Sequence, residues 1–476
     1  MINYFPKYIS SKAVTVYVAA LIVVSMLFMS RIMLWYWFVF GLVEVLCFFY
    51  FSNILTKKWG NYSEKRFKKK VFTASLMIRI VYVIFSYWFF SYMYGDPFGA
   101  SAADAIFYDS MGKFGHTLLS QGVFDFYEEF NHYAGSVALS DTGYPTYLSY
   151  VYFLTDDSIF FTRIIKAFMG AFLCVLIYKL ATRNFGETTG RMAAIFCMLM
   201  PNLIYYCGFH LKEAEMIFLV VAFMERADNA IRSPKFTFSN LILPILLAGS
   251  LFFFRTVLGA TALFAFFTAV FLTSQRVMQM NKRIVLGIWI LVAIAYFMGG
   301  RIANEVEEVW QNRAENQSRS MEWRAERKGG NQFAKYAGAA VFAPMIFTIP
   351  FPTMLETPGQ ENQRMIHGGN FVKNIISFFT ILAFFLLFFK WKTWKNHILI
   401  LVFIGGYLAV IAQSAFAHSE RFHLPVLPFA LILAAFGVSQ MTNKRYKQWF
   451  NWWTIVIFVA IVGWSWFKLA GRGMID

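Results

Sequence analysis

Long apolar runs recur from one end of this chain to the other, and no other feature narrows its fold as much. A run of about 20 apolar residues crosses a bilayer as a helix, because lipid offers no partner for free backbone N–H and C=O groups. Such runs fall near 13–30, 33–55, 71–93, 159–181, 191–209, 213–225, 238–254, 256–275, 284–300, 371–389, 396–417, 424–441 and 453–470. That makes about thirteen transmembrane helices, of which 213–225 is the shortest. Only 14% of the 476 residues are charged and 58% are hydrophobic, so the chain reads as an all-α polytopic membrane protein. Residues 94–158 and 301–370 are too polar or too interrupted to span, and are expected to form two large extracytoplasmic loops containing amphipathic interfacial helices. The expected organisation is N-terminal spans (1–93), the first loop (94–158), a middle set of spans (159–300), the second loop (301–370) and C-terminal spans (371–476).

A net charge of +17 would suit nucleic acid if the cations were grouped. They are instead sorted by membrane side. Lys57, Lys58, Lys65, Arg66, Lys68, Lys69 and Lys70 crowd the second loop, and Lys and Arg in short loops mark the cytoplasmic face. Alternation then places Arg183–Arg191, Arg226–Lys235, Arg276–Arg283, Lys390–Lys395 and Lys444–Lys447 on that face too, with a cytoplasmic N-terminus. No nucleic-acid partner is expected. Cys47, Cys174, Cys197 and Cys207 all lie in apolar segments at no metal-binding or disulfide spacing. The first two spans read as an anchor hairpin rather than a removable signal peptide. Glu44 and Arg79 lie inside spans, where a lone charge costs on the order of 2.5–3.5 kcal/mol. They are expected to pair with each other; the alternative is that each reaches separately for backbone or water.

Charges expected on the outer face differ in kind. Ser101 to Gly122 reads as an amphipathic helix with Asp104 and Tyr108 on one face and Asp109 well around it. Short turns supply Lys212 and Glu213, then Arg255, then His418, Glu420 and Arg421 ahead of Pro425 and Pro428. Taken singly, each has an ordinary reading as a helix resting on headgroups or a snorkelling cation. Taken together, a carboxylate and several cations suit a reaction on an anionic lipid headgroup. The carboxylate would take a proton from a nucleophile while the cations stabilise a departing phosphate. No P-loop, HExxH or nucleophile-elbow motif is present.

The order of these features resembles the GT-C class of membrane glycosyltransferases, in particular bacterial relatives of the protein O-mannosyltransferase and aminoarabinose transferase group (glycosyltransferase family 39-like). Asp104, Tyr108 and Gly122 match the Asp, Tyr and Gly of that group's first outer loop, and Tyr144–Pro145 the element leading to the next span. Pro201 with Lys212–Glu213 matches a Lys-Glu after a Pro-containing span, and Glu420–Arg421 with its prolines a late Arg turn. Two spans precede the one leading to the Asp loop, where the group usually has none, and Ala105 stands where a second acidic residue is often found.

The resemblance implies a polyprenyl-phosphate-linked sugar as donor. The sugar would pass with inversion to an extracytoplasmic acceptor, whether glycan, lipid or protein, at the outer face of a bacterial cytoplasmic membrane. Asp104 would be the general base, with Asp109 in reserve. Lys212, Arg255 and Arg421 would hold the donor phosphate. Tyr108, His418, Glu213 and Glu420 would line the sugar and acceptor site, with Glu213 orienting Lys212. No cofactor beyond the donor is expected; a divalent metal suits the class, though no ligand set points to one. Two other classes also fit the residues. A polysaccharide polymerase or ligase would share the outer cationic site without requiring Asp104, and a lipid-linked sugar flippase or transporter would need polar groups at mid-membrane depth.

Overall fold

The computed structural model describes residues 2–100, 102–135, 137–233, 237–275, 277–297 and 301–475. Ser101, Lys235 and Arg276, all used in the sequence argument, lie outside the described residues. Among the described residues every regular element is helical. Three long helices open the chain: α1 (Lys7–Leu27), α2 (Trp35–Trp59) and α3 (Glu64–Tyr94). Three short ones follow, α4 (Ala103–Ser120), α5 (Phe126–Ala134) and α6 (Gly143–Thr155), ahead of the long α7 (Ile159–Phe185). Next come α8 (Glu187–Leu199), α9 (Pro201–Tyr205), α10 (Glu213–Arg232), α11 (Phe238–Phe254), α12 (Thr256–Leu272) and α13 (Met280–Phe297). The polar stretch after them holds α14 (Arg301–Gln311), α15 (Arg313–Glu326), α16 (Ala339–Met345) and α17 (Glu361–Met365). Last are α18 (His367–Phe385), α19 (Ile398–Ala412), α20 (Glu420–His423), α21 (Leu427–Ser439) and α22 (Lys444–Ala470).

Six of these, α1, α2, α3, α7, α22 and α18 continued to Lys390, are long and apolar enough to cross a membrane. The other apolar runs yield shorter elements for identifiable reasons. Pro201 has no N–H to continue a helix, so the run at 191–209 divides into α8 and α9. Helix α10 is long enough, but Glu213, Glu215 and Glu225 lie along it. Burial sorts the six further. The apolar window of α18 is 78% buried inside the protein, against 28–39% for the other five, so α18 lies at the centre of the bundle and the rest around it. Met77, Val81 and Trp88 on α3 and Trp452 and Val459 on α22 point away from all protein, as helices that face lipid require.

The two charges inside spans do not meet, which corrects the expected Glu44–Arg79 pair. Glu44 accepts from the Gly369 N–H at 2.8 Å and thereby caps the first turn of α18, whose opening N–H groups have no intrahelical partner. Close packing makes this possible: a side chain on Gly368 would lie 2.6 Å from the Gly41 carbonyl. Arg79 does the converse job. Its guanidinium donates to Ser75 Oγ at 2.5 Å, to the Cys197 carbonyl at 3.2 Å and to the Met198 carbonyl at 3.4 Å. Position 201 would ordinarily supply the N–H for the Cys197 carbonyl, and there it is proline. Each charge therefore completes a helix end rather than neutralising the other.

Candidate active site

The site begins with how α4 is held. Helix α4 lies against α6 through Gly112, where a side chain would fall 2.8 Å from the Leu148 Cβ. That close approach buries the α4 face carrying Ala105, Tyr108 and Asp109 and leaves Asp104, in the first turn, exposed. Tyr108 packs edge-on to Tyr144, ring centroids 5.1 Å apart.

Asp104 meets Arg421 across most of the chain. The Arg421 Nη1 donates to Asp104 Oδ2 at 2.5 Å, and its Nε donates to Glu213 Oε1. Glu213 opens α10 and is fully buried, and Arg255 reaches the same oxygen at 3.9 Å. Arg255 also donates to the Tyr407 hydroxyl at 3.4 Å and lies 4.3 Å from the centre of the Phe422 ring. One guanidinium thus joins an exposed carboxylate to a buried one, with a second guanidinium behind. Burial alone would lower the Arg421 pKa, but Glu213 and Asp104 outweigh it and hold the group above its ordinary value.

Lys212 sits beside this chain rather than in it. Its ammonium donates to Asp141 Oδ1 at 2.5 Å and to the Ser140 carbonyl at 3.2 Å, and lies 5.9 Å from the centre of the Tyr108 ring. Burial lowers its pKa, and Asp141 offsets part of that shift. Asp109, five residues beyond Asp104, faces another way. It accepts from Tyr152 at 2.6 Å and pairs with Lys113 at 2.7 Å, with His210 4.0 Å distant. Burial, then Lys166, pushes the His210 pKa well below its ordinary value, so the ring is neutral. Glu420 accepts from the Tyr206 hydroxyl at 3.3 Å. His418 accepts a hydrogen bond from Arg324 at 2.5 Å, and its pKa is lowered to about 3 by burial and by that cation.

A cleft runs beside Asp104 and Arg421. Ser419 and Glu420 line it with Tyr205, Tyr206, Phe209, Gln360 and Gln363, among others. Of the residues singled out from sequence, Asp104, Glu420 and Arg421 therefore face the cleft. Glu213 and Arg255 stand behind Arg421, Tyr108 and Lys212 lie alongside, and Asp109 and His418 turn to other partners. Sequence reasoning did not single out Asp141, Tyr206, Gln360, Gln363 or Tyr407. Only the Gln-rich stretch after Pro358, polar residues ahead of a span, offered a local signal for two of them. Among the described residues no three His, Cys, Asp or Glu side chains are grouped to hold a metal ion.

Fold and site together define the class: a helical membrane protein with a polar cleft where an arginine from a distant turn joins an exposed carboxylate to a buried one. Compared with known proteins, the chain matches no family model, no curated protein and no solved structure.

Proposed function

We propose that this protein is a membrane glycosyltransferase of the GT-C type. It would move a sugar, with inversion, from a polyprenyl-phosphate-linked donor to an extracytoplasmic acceptor. The observation carrying the reading is the Asp104–Arg421 contact at the wall of a cleft. A reaction at a glycosyl phosphate needs a base on one side of the anomeric carbon and a phosphate-binding cation on the other. In the proposed step the acceptor oxygen forms the new bond to the anomeric carbon, and its proton passes to Asp104. The bond from that carbon to the phosphate oxygen breaks, and polyprenyl phosphate departs with the electron pair. Arg421, whose planar fork matches two phosphate oxygens, stabilises the leaving charge. Donor phosphate would take over Asp104's place on Arg421 and free the carboxylate to act as base. Glu213 and Arg255 keep the guanidinium in position, and Tyr108 and Glu420 border the sugar. Asp109, held by Tyr152 and Lys113, is assigned to shaping α4.

The accompanying topology is the thirteen-span arrangement read from the sequence. It has a cytoplasmic N-terminus, a bacterial cytoplasmic membrane as its site, and a cleft that opens outward.

Transfer from a panel of polyprenyl-phosphate sugars by purified protein tests the reading. Asp104→Asn should abolish turnover and retain donor binding, and Asp109→Asn should keep turnover. Loss confined to Asp109→Asn would move the base. If no donor is consumed while lipid-linked sugar crosses a proteoliposome bilayer, the protein is a flippase and the proposal fails.

A further inference from the structure

A second group of cations gathers where α15 ends against the end of α22. Gln332 donates its N–H to the Gly471 carbonyl at 2.6 Å, and Asn331 donates to the Phe467 carbonyl at 3.0 Å. Phe333 stacks on Trp466, centroids 6.1 Å apart. This docking brings Arg324 and Arg327 to Lys468 and Arg472. Among the described residues none of the four forms an ion pair, although Glu322 and Glu326 lie on the same helix as Arg324.

Their bonds all go to neutral acceptors. Lys468, 5% exposed, donates to Thr353 at 2.6 Å, Gln360 at 2.7 Å and Gln363 at 2.6 Å. Arg324 donates to His418 Nε2 at 2.5 Å, so the proton of that neutral ring is on Nδ1, a buried atom with no protein partner. Arg472 donates one nitrogen to the Lys468 carbonyl at 2.7 Å, and its Nε is also buried without a partner. Arg327 is exposed at the surface of the group. The arginines act on one another as like charges: burial, then Arg327, lowers the pKa of both Arg324 and Arg472. Helix C-termini do favour cations. That accounts for a single cation at each helix end, not for four without an ion pair, of which Lys468 alone feels a carboxylate, Glu420, at a distance.

We propose that Arg324, Arg327, Lys468 and Arg472 form a binding site for a multiply charged phosphate group, separate from the Asp104 cleft. Four grouped cations without an ion pair call for a ligand with more than one negative charge, and guanidinium forks suit phosphate oxygens. Lys468 bonds to the cleft-lining Gln360 and Gln363, and Glu420 of the same wall acts on it, so the site adjoins the cleft wall without sharing Arg421. Such phosphate could come from a lipid headgroup or from a soluble diphosphate. The proposal goes beyond the transferase reading and does not depend on it, since its test measures binding and no turnover.

The test uses the full chain in phosphatidylcholine nanodiscs. Inorganic pyrophosphate is titrated calorimetrically, and phosphatidic acid is added to the discs with retained lipid read by native mass spectrometry. At least one probe should bind, and Arg327→Gln/Arg472→Gln should weaken it by about tenfold. Arg319→Gln, at an exposed arginine of α15 paired with Glu315, should change it by less than about twofold. Arg327→Gln alone, at an exposed residue where folding is not at stake, should weaken binding by about threefold. Pyrophosphate binding identifies a soluble source and phosphatidic acid binding alone a headgroup; either supports the site. Binding of neither probe above background, or binding that is lost in Arg319→Gln but kept in the double variant, overturns it.

Discussion

At the scale of single residues, Arg421 holds the site together because it is the one side chain bonded to both Asp104 and Glu213. Lysine cannot reproduce two directed bonds from one planar group. Arg421→Lys should therefore lower transfer by at least about tenfold while leaving the fold intact, as read by turnover beside thermal unfolding. Arg421→Ala should be worse for stability, because among the described residues it leaves the buried Glu213 one ion pair, Arg255 at 3.9 Å. A loss of about 3 kcal/mol is expected, and adding Glu213→Gln should restore most of it. If the double variant unfolds as early as the single one, the Glu213 charge is not what Arg421 stabilises. His210 supplies a pH test. Folded, it stays neutral; unfolded, it takes up a proton below about pH 6.5. The unfolded state then binds more protons, so stability falls as pH drops through that range. Unfolding temperatures at pH 5 and pH 8 should differ less in His210→Gln than in the wild type.

At the scale of elements, the informative cases are helix ends inside the bundle. Arg79 donates to the Cys197 carbonyl that Pro201 leaves free and to the Met198 carbonyl beside it. Arg79→Met should cost about 1–3 kcal/mol, the range for buried polar groups left unpaired. Glu44→Arg should not be rescued by Arg79→Glu, because the two side chains serve different helices. Rescue in an unfolding assay would restore the simple pair. Helix α4 makes a second case. Its helical character was legible from spacing alone, but the expected face was not the one found: Tyr108 is buried on the side of Asp109, and Asp104 is exposed. The buried face of Asp109 was not legible, because burial there is set by α6 packed against Gly112. Gly112→Val should push α4 away and lower transfer without disturbing the distant α18 core.

At the scale of the whole molecule, apolar runs and the sorting of cations predict that Lys69→Cys and Ser120→Cys react with an impermeant thiol reagent from opposite sides of the membrane. Labelling of Ser120→Cys from the inside and Lys69→Cys from the outside would reverse the topology and place the cleft in the cytoplasm, and labelling of both from one side would remove α3 as a span. The helical membrane class and the residue types of the site were readable from the chain because they are local properties. An apolar run, a helical period and a proline break act within a few residues of themselves. Which run lies at the centre was not readable: α18 has the highest mean hydropathy of the six, 2.2, but α2 at 2.0 is close behind and only 28% buried, so packing partners decide burial. Nor was the company each charge keeps. Asp104 and Arg421 are 317 residues apart, and their contact depends on every helix between them. Lys212 and Glu213 are adjacent in sequence yet bond to different partners, Asp141 and Arg421. Sequence by itself determined that charges would collect in the turns, because a bilayer excludes them from spans. Tertiary structure alone decided which charge meets which, because a buried charge takes the nearest group that can satisfy it, and in a bundle that group belongs to a helix distant in the chain.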